Sequence, residues 1–344
     1  MMTIKEIARS ANVSIGTVDR VIHGRGRVSK DTATLIRKLI SESGYKANIF
    51  GKHLSLAKVY TFGVLMPRLY QDSRYWEISA RGIEQAQSEL KSYNVKIKYF
   101  FYDRYSETSI KQEIEKIEDG GIDGLLIAPV LHKPIKHFLE TISGKIPYAL
   151  FNANIPDMKA ISYIGQDSFQ SGVLSAKLMK MMVSEKGFLA VMVTVTNDYH
   201  IIERVDGFYS FFENNDDYNL KSYIIDPCTR DLFYGTMKKI IKEEKDLKGV
   251  FVANASTHYA AEYIKEFCGN KKIYVVGYDP TEENIKFLKE GFIDFLISQK
   301  AEMQGYKGIY ALYRSVVLQE PFEKYVMMPL DIITNENLIY YQKY

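Results

Sequence analysis

Polar groups recur just after the hydrophobic runs that read as strands in this 344-residue chain. Asn152 and Asn154 follow Phe151, Asn254 follows a Phe-Val-Ala run, Asp279 follows Val-Val-Gly-Tyr, and Gln299 follows Leu-Ile-Ser. Tyr75 and Trp76, the sole tryptophan, come after the first such run, and Arg204 lies near the start of a helical pattern. These groups suit a polyol. Amides and carboxylates can each engage two neighbouring hydroxyls, and a guanidinium offers a fork of donors. A flat aromatic ring covers the C–H face of a sugar. Amides fitted in this way reject analogues that leave them unpaired. Each residue also has a plainer reading. Asn254 and Asp279 would serve as caps of the helices that follow them. Trp76 would serve as core, and Arg204 as half of a surface ion pair.

Other chemistry finds little support. His132 and His137 flank Pro134 at a spacing unlike that of helical metal ligands, and H-E-x-x-H and C-x-x-C patterns do not occur. His200 borders the candidate pocket but reads as a solvated side chain. Cys228 and Cys268 are isolated, as expected of small apolar packing residues in a reducing compartment. The run from His23 to Arg27 lacks the order of a phosphate-cradling loop. No nucleophile–base pair is legible from spacing. The expectation is a binding protein, not an enzyme, without metal or cofactor.

A second set of residues points to nucleic acid. The first 58 residues carry a net charge of +7 and the rest −4. A positive field confined to one small segment is what phosphate binding requires. Three helical patterns lie in that segment. The first starts at Thr3, which with Glu6 forms a capping box. The second runs from Ser14 to Ile22 and the third from about Ser29 to Ser43, each opened by a serine cap, with Gly44 placed to end the third. Apolar positions recur at helical spacing: Ile4, Ile7 and Ala8; Val18, Val21 and Ile22; Ala33, Ile36 and Ile40. The short turn Ala11-Asn12-Val13 between the first two is that of a helix-turn-helix, whose second helix enters a major groove. A plain three-helix bundle with a solvated basic face is the alternative.

From Tyr60 onward, strand runs alternate with helical patterns. Strands are expected at 60–66, 95–102, 124–128 and 147–151, then at 187–194, 220–225, 249–253 and 273–278. Helices are expected between them. That alternation implies doubly wound parallel sheets, and two series imply two sheets with a cleft between. Ligands of such sheets bind beyond the carboxyl ends of the strands, where the polar groups above fall. No apolar run is long enough for a membrane span, and the N-terminus has no secretory h-region, so a cytoplasmic protein is expected.

The stretch IKEIARSANVSIGTVDRVI at 4–22, with Val28-Ser29, Gly44-Tyr45 and Asn48, resembles the headpiece of the lactose-repressor (LacI/GalR) family of transcription factors. The body resembles the ribose-binding type of periplasmic sugar-binding protein through Ile164-Gly-Gln-Asp167, Gly172, Glu203-Arg204, Gly207-Phe208, residues 275–279, Gln299 and residues 329–333. The resemblance implies a small all-α helix-turn-helix domain followed by α/β: two doubly wound parallel-sheet lobes of the periplasmic-binding-protein-like type I. It implies a headpiece at 1–47, a hinge helix or linker at 48–59, and a sugar-binding domain at 60–344. The N-lobe would hold about 60–164 and 299–328, the C-lobe about 166–297 and 331–344, with crossings near Gly165, Ser298 and Leu330.

By the same resemblance Thr3, Ser14, Ile15, Gly16, Thr17, Arg20, His23, Arg25, Arg27, Asn48 and Leu54 would contact DNA, Leu54 as a minor-groove wedge. Gly16 has no side chain to read a base, and Ala47 stands where the family usually has proline. Tyr75, Trp76, Asn152, Arg204, Asn254, Asp279 and Gln299 fall on sugar-contacting positions, and Asn154 is added to them. Asn152 replaces a common aspartate, which implies a less acidic pocket and a different hydroxyl pattern or an acidic sugar. The implied function is a homodimeric regulator, a repressor. It would bind a near-palindromic operator in double-stranded DNA and sense a small sugar or sugar derivative. The alternative is a sugar-binding module without regulatory DNA binding.

Overall fold

The computed structural model describes residues 4–22, 28–43, 58–195, 198–215 and 217–341. The chain divides into two compact units, Met1–Lys58 and Val59–Tyr344. In the first, helices α1 (Ile4–Ser10), α2 (Ile15–Ile22) and α3 (Lys30–Ser43) enclose a small core of Ile7, Ala8, Ala11, Val18, Val21 and Ile36. The expected serine caps form: Ser14 Oγ accepts from Thr17 N at 3.1 Å and Ser29 Oγ from Thr32 N at 3.2 Å. The turn between α1 and α2 places Asn12 at φ +51°, a left-handed conformation that asparagine tolerates. Thr3 and Gly44 lie outside the described residues.

The second unit contains two six-stranded sheets. The first lobe is built from β1 (Tyr60–Pro67), α4 (Gln71–Leu90), β2 (Val95–Tyr102), α5 (Glu107–Glu118), β3 (Gly124–Ile127), α6 (His132–Ile142), β4 (Tyr148–Asn152) and β5 (Tyr163–Gly165). The second follows with α7 (Ser168–Met182), β6 (Gly187–Val193), α8 (Tyr199–Phe212), β7 (Tyr218–Ile224), α9 (Arg230–Glu243), β8 (Leu247–Val252), α10 (Thr257–Phe267), β9 (Tyr274–Tyr278), α11 (Glu282–Lys289) and β10 (Phe295–Ser298). Helix α12 (Ala301–Leu312) returns to pack on α4, and β11 (Tyr325–Met327) joins the first sheet before β12 (Asp331–Ile333) ends in the second.

Strand orders are β11-β5-β4-β3-β1-β2 and β12-β10-β9-β8-β6-β7. All pairings are parallel except β10 with β12. Strands β3 and β6 are buried and apolar throughout, and β4 is so up to its last residue, Asn152, because both faces of the sheets are covered by helices. The chain passes between the sheets three times: between β5 and α7, between β10 and α12, and between β11 and β12. Gln166 ties these passages together, its Nε2 donating to the carbonyls of Ser298 (2.7 Å) and Pro329 (2.9 Å). Among the described residues, no helix is long and apolar enough to cross a membrane.

Candidate functional site

The strand ends of both lobes converge on one cavity. Tyr75, Trp76, Asn152, Arg204, Asn254, Asp279 and Gln299 all line it, and Asn154 does not. Trp76 is 1% exposed and meets Tyr75 and Phe151 edge-on, at 5.0 and 6.3 Å between ring centres. It is therefore both core and cavity wall. Asn152 Nδ2 donates to the Tyr75 hydroxyl at 2.9 Å, and Gln299 Nε2 donates to Asp279 Oδ2 at 2.6 Å. The Gln299 backbone N–H donates to Asp279 Oδ1 at 3.0 Å.

Asp279 is thus fixed by Gln299 and does not cap the next helix; Thr281 does that for α11. Asn254 does form a local turn, its Oδ1 accepting from Ser256 N at 3.0 Å while the residue still lines the cavity. Asn152 and Asp279 hold φ of +68° and +61°, strain of a kind that clusters at binding sites and that Asn and Asp bear best.

Arg204 corrects its plainer reading as a surface ion pair, for it is 1% exposed. Its guanidinium lies 3.9 Å from the Tyr278 ring centre, and Nη1 donates to Ala253 O at 2.9 Å. Nε and Nη2 of Arg204, Nε of Arg104 and Oδ1 of Asn152 are buried without a hydrogen-bond partner in the protein. Buried polar atoms are rarely left so, and these four sit in residues lining one cavity. Helices α7 and α8 bring Arg204 there by a backbone-to-backbone approach. A Cβ at Gly172 would stand 2.0 Å from Arg204 O, and one at Gly207 would stand 2.0 Å from Phe169 O.

His200 also corrects the expectation: it is buried in the cavity wall, not solvated, with Nδ1 2.5 Å from Asp198 Oδ1. Burial pushes the imidazole's pKa down; Asp198 opposes this and Arg204 adds to it. Burial alone would raise the Asp198 carboxyl, yet it is held below the usual range. His200 beside it does most of this, by charge and by hydrogen bond, with Arg104 and then Arg204 adding to it. Asp279 is pushed up to about 6 by burial, against Arg204 and the Gln299 donors.

Three charged wall residues were not anticipated: Asp72, Arg104 and Asp198. Arg104 and Asp198 follow β2 and β6, so the rule of searching strand ends would have found them. Asp72 precedes Trp76 by four residues and accepts its indole N–H at 2.6 Å. Behind the wall, Asn284 Nδ2 lies 2.9 Å from the carbonyls of Ala255, Tyr278 and Asp279, a role that no sequence signal marked.

In the first unit, Ile15 is 45% exposed, Ser14, Gly16 and Arg20 are exposed, and Thr17 is half-buried. The candidate reading face of α2 is therefore open while Val18 and Val21 face the core. His23, Arg25, Arg27, Asn48 and Leu54 lie outside the described residues, as does most of the expected hinge at 48–59.

A three-helix unit of helix-turn-helix form joined to a bilobed ligand clamp defines a ligand-gated DNA-binding regulator. Residues 3–48 match the bacterial regulatory proteins of the lacI family, and residues 62–319 match the periplasmic binding protein domain. The body belongs to the periplasmic binding protein domain family, and the N-terminal unit carries the DNA-binding domain of the lacI-family bacterial regulatory proteins. It is 26% identical to the sucrose operon repressor of Lactococcus lactis subsp. lactis, over 82% of this chain and 84% of that protein. Its fold is similar to that of a crystal structure titled a putative LacI transcriptional regulator from Bacteroides fragilis, with a TM-score of 0.75 and 24% identity, over 83% of this chain and all of that one. It is similar also to a solute binding protein from Burkholderia graminis C4D1M in complex with D-arabinose, with a TM-score of 0.76 and 18% identity, over 84% of this chain and all of that one.

Proposed function

We propose that this regulator is a repressor that binds a near-palindromic operator as a homodimer and releases or grips it according to a small sugar held between the lobes. The observation that carries the reading is the convergence of seven strand-end and helix-end groups on one cavity. Unpartnered N–H donors on two buried arginines and a free amide carbonyl oxygen suit hydroxyl groups. Trp76 and Tyr75 supply the flat wall that a ring's C–H face would meet. The basic headpiece supplies the affinity for DNA phosphates, and the open row Ser14, Ile15, Gly16, Thr17 and Arg20 would read the groove. Operator and effector are coupled reciprocally: an effector that weakens DNA binding binds more weakly to the DNA complex by the same factor. We read the protein as cytoplasmic and without catalytic chemistry.

The test is selection of duplexes from a random library by the full chain, followed by titration of the winning site with and without D-arabinose, D-glucose, D-galactose and sucrose. A two-fold-symmetric site, a steep fall of affinity with salt and a shift by at least one sugar are expected. Arg204→Ala should abolish the sugar shift and leave DNA affinity within about twofold, the two sites being separate modules. Equal loss of both would show Arg204 to be a folding residue and overturn its role. Salt-insensitive, sequence-blind binding would instead favour the sugar-binding module without regulatory DNA binding.

A further inference from the structure

Arg104 stands where the first lobe meets the second. It follows β2, and its backbone N–H donates to Gln71 Oε1 at 3.1 Å, while Gln71 Nε2 holds Asp103 Oδ1 at 2.9 Å. The residue is 6% exposed. Nη1 pairs with Asp72 of its own lobe, and Nη2 donates to Asp198 of the other lobe at 3.0 Å. Asp72 is delivered by an unusual device: Asp72, Ser73 and Arg74 hold φ of +52°, +55° and +60° in succession, so regular helix begins only at Tyr75. Left-handed backbone at three non-glycine residues is costly and persists only where the surroundings impose it. The same carboxylate accepts the Trp76 indole N–H. The aromatic wall, the guanidinium and the opposite lobe are therefore linked in one chain of bonds. Two further contacts cross the same lip, Ser73 Oγ to Ser256 Oγ at 3.4 Å and His132 against Tyr199 at 4.6 Å between rings.

We infer that Arg104 is a specificity-determining residue: paired across the lobes, it walls off one end of the cavity and limits the effector to a single sugar-sized ring. The inference rests on the sugar-sensing reading above and deepens it. A second ring would have to pass through the Arg104–Asp198 pair, and separating it takes from buried Asp198 the arginine that faces it across the lobes. Arg104 Nε, unpartnered and in the cavity wall, gives the residue a direct bond to offer the ring it encloses.

Two measurements on the full-length chain test this, with wild type, Arg104→Met and Asp198→Asn. The first is amide hydrogen exchange without any sugar. Peptides covering 72–80 and 199–206 should exchange about tenfold faster in both variants, while β8 and β9 stay protected. Unchanged exchange at 199–206 would show that Arg104 does not brace the lobes. The second is calorimetric titration with D-arabinose, D-glucose, D-galactose, myo-inositol and sucrose. Wild type should take at least one single-ring compound and not sucrose, and both variants should bind that compound at least about tenfold more weakly. Sucrose bound by wild type as tightly as any single ring overturns the size limit. Binding of none of the five sinks the sugar reading and the size limit with it, while exchange still decides whether Arg104 braces the lobes.

Discussion

Asp279 shows how burial turns one carboxylate into a pH-dependent group. It is 1% exposed, and burial pushes its carboxyl up to about 6 in spite of Arg204 and two Gln299 donors. In the unfolded chain an aspartate titrates near 3.9. Between about pH 4 and 6 the folded protein keeps a proton that the unfolded chain has lost, so stability falls as pH rises through that window and then levels off. The difference of about two units corresponds to roughly 3 kcal/mol. Denaturant unfolding at pH 4 and pH 7 should therefore show wild type losing about 2–3 kcal/mol relative to Asp279→Asn, which has no proton to lose. A difference independent of pH would mean that the carboxyl titrates normally. The same residue illustrates what a sequence conveys at this scale. The placement of Asp279 after a strand marks it for the pocket, but a cap and a ligand contact look alike in one dimension. Gln299, twenty positions away, distinguishes them only in three.

At the scale of elements, α7 and α8 matter most, because their crossing carries Arg204 into the cavity. Gly172 and Gly207 lie where each helix meets the other's backbone, with no flexible side chain able to yield. Gly172→Ala should cost about 1–3 kcal/mol by overpacking and weaken sugar binding by displacing Arg204. Gly235, inside α9 with nothing within 4 Å of its missing Cβ, is the control. There, alanine should add about 0.5–1 kcal/mol through helix propensity. Thermal unfolding of the two variants side by side checks both signs, and two changes of the same sign would refute the close-approach argument. Periodicity made most of the strands and helices of the body legible. The short strands β5, β11 and β12 were not, since three residues in each leave too little pattern. The left-handed turn at 72–74 was hidden as well, because Asp-Ser-Arg carries no glycine to mark it.

At the scale of the whole molecule, the chain crosses between the two lobes in three passages, and the Gln166 side chain ties them to one another. Gln166 donates to both of the other passages, at Ser298 and Pro329, while its own backbone carbonyl accepts from the Tyr163 hydroxyl at 3.2 Å. Gln166→Leu keeps the volume and removes both bonds, leaving the buried Ser298 carbonyl short of a partner at about 1–3 kcal/mol. The expected outcome is an altered sugar-dependent shift in DNA titration with sugar-free DNA affinity near that of wild type. An unchanged shift would show that the stitch plays no part in transmitting closure.

The order of elements, the basic headpiece and the polar groups at strand ends are written in local composition and period, which depend on neighbours in the chain, and so were readable from residues alone. Arg204 as a buried group, His200 as a wall residue and the bridge from Trp76 through Asp72 and Arg104 to Asp198 depend on which strand ends face one another across a cleft. That pairing joins residues about a hundred positions apart, and only the folding of two sheets around three shared passages brings them within reach.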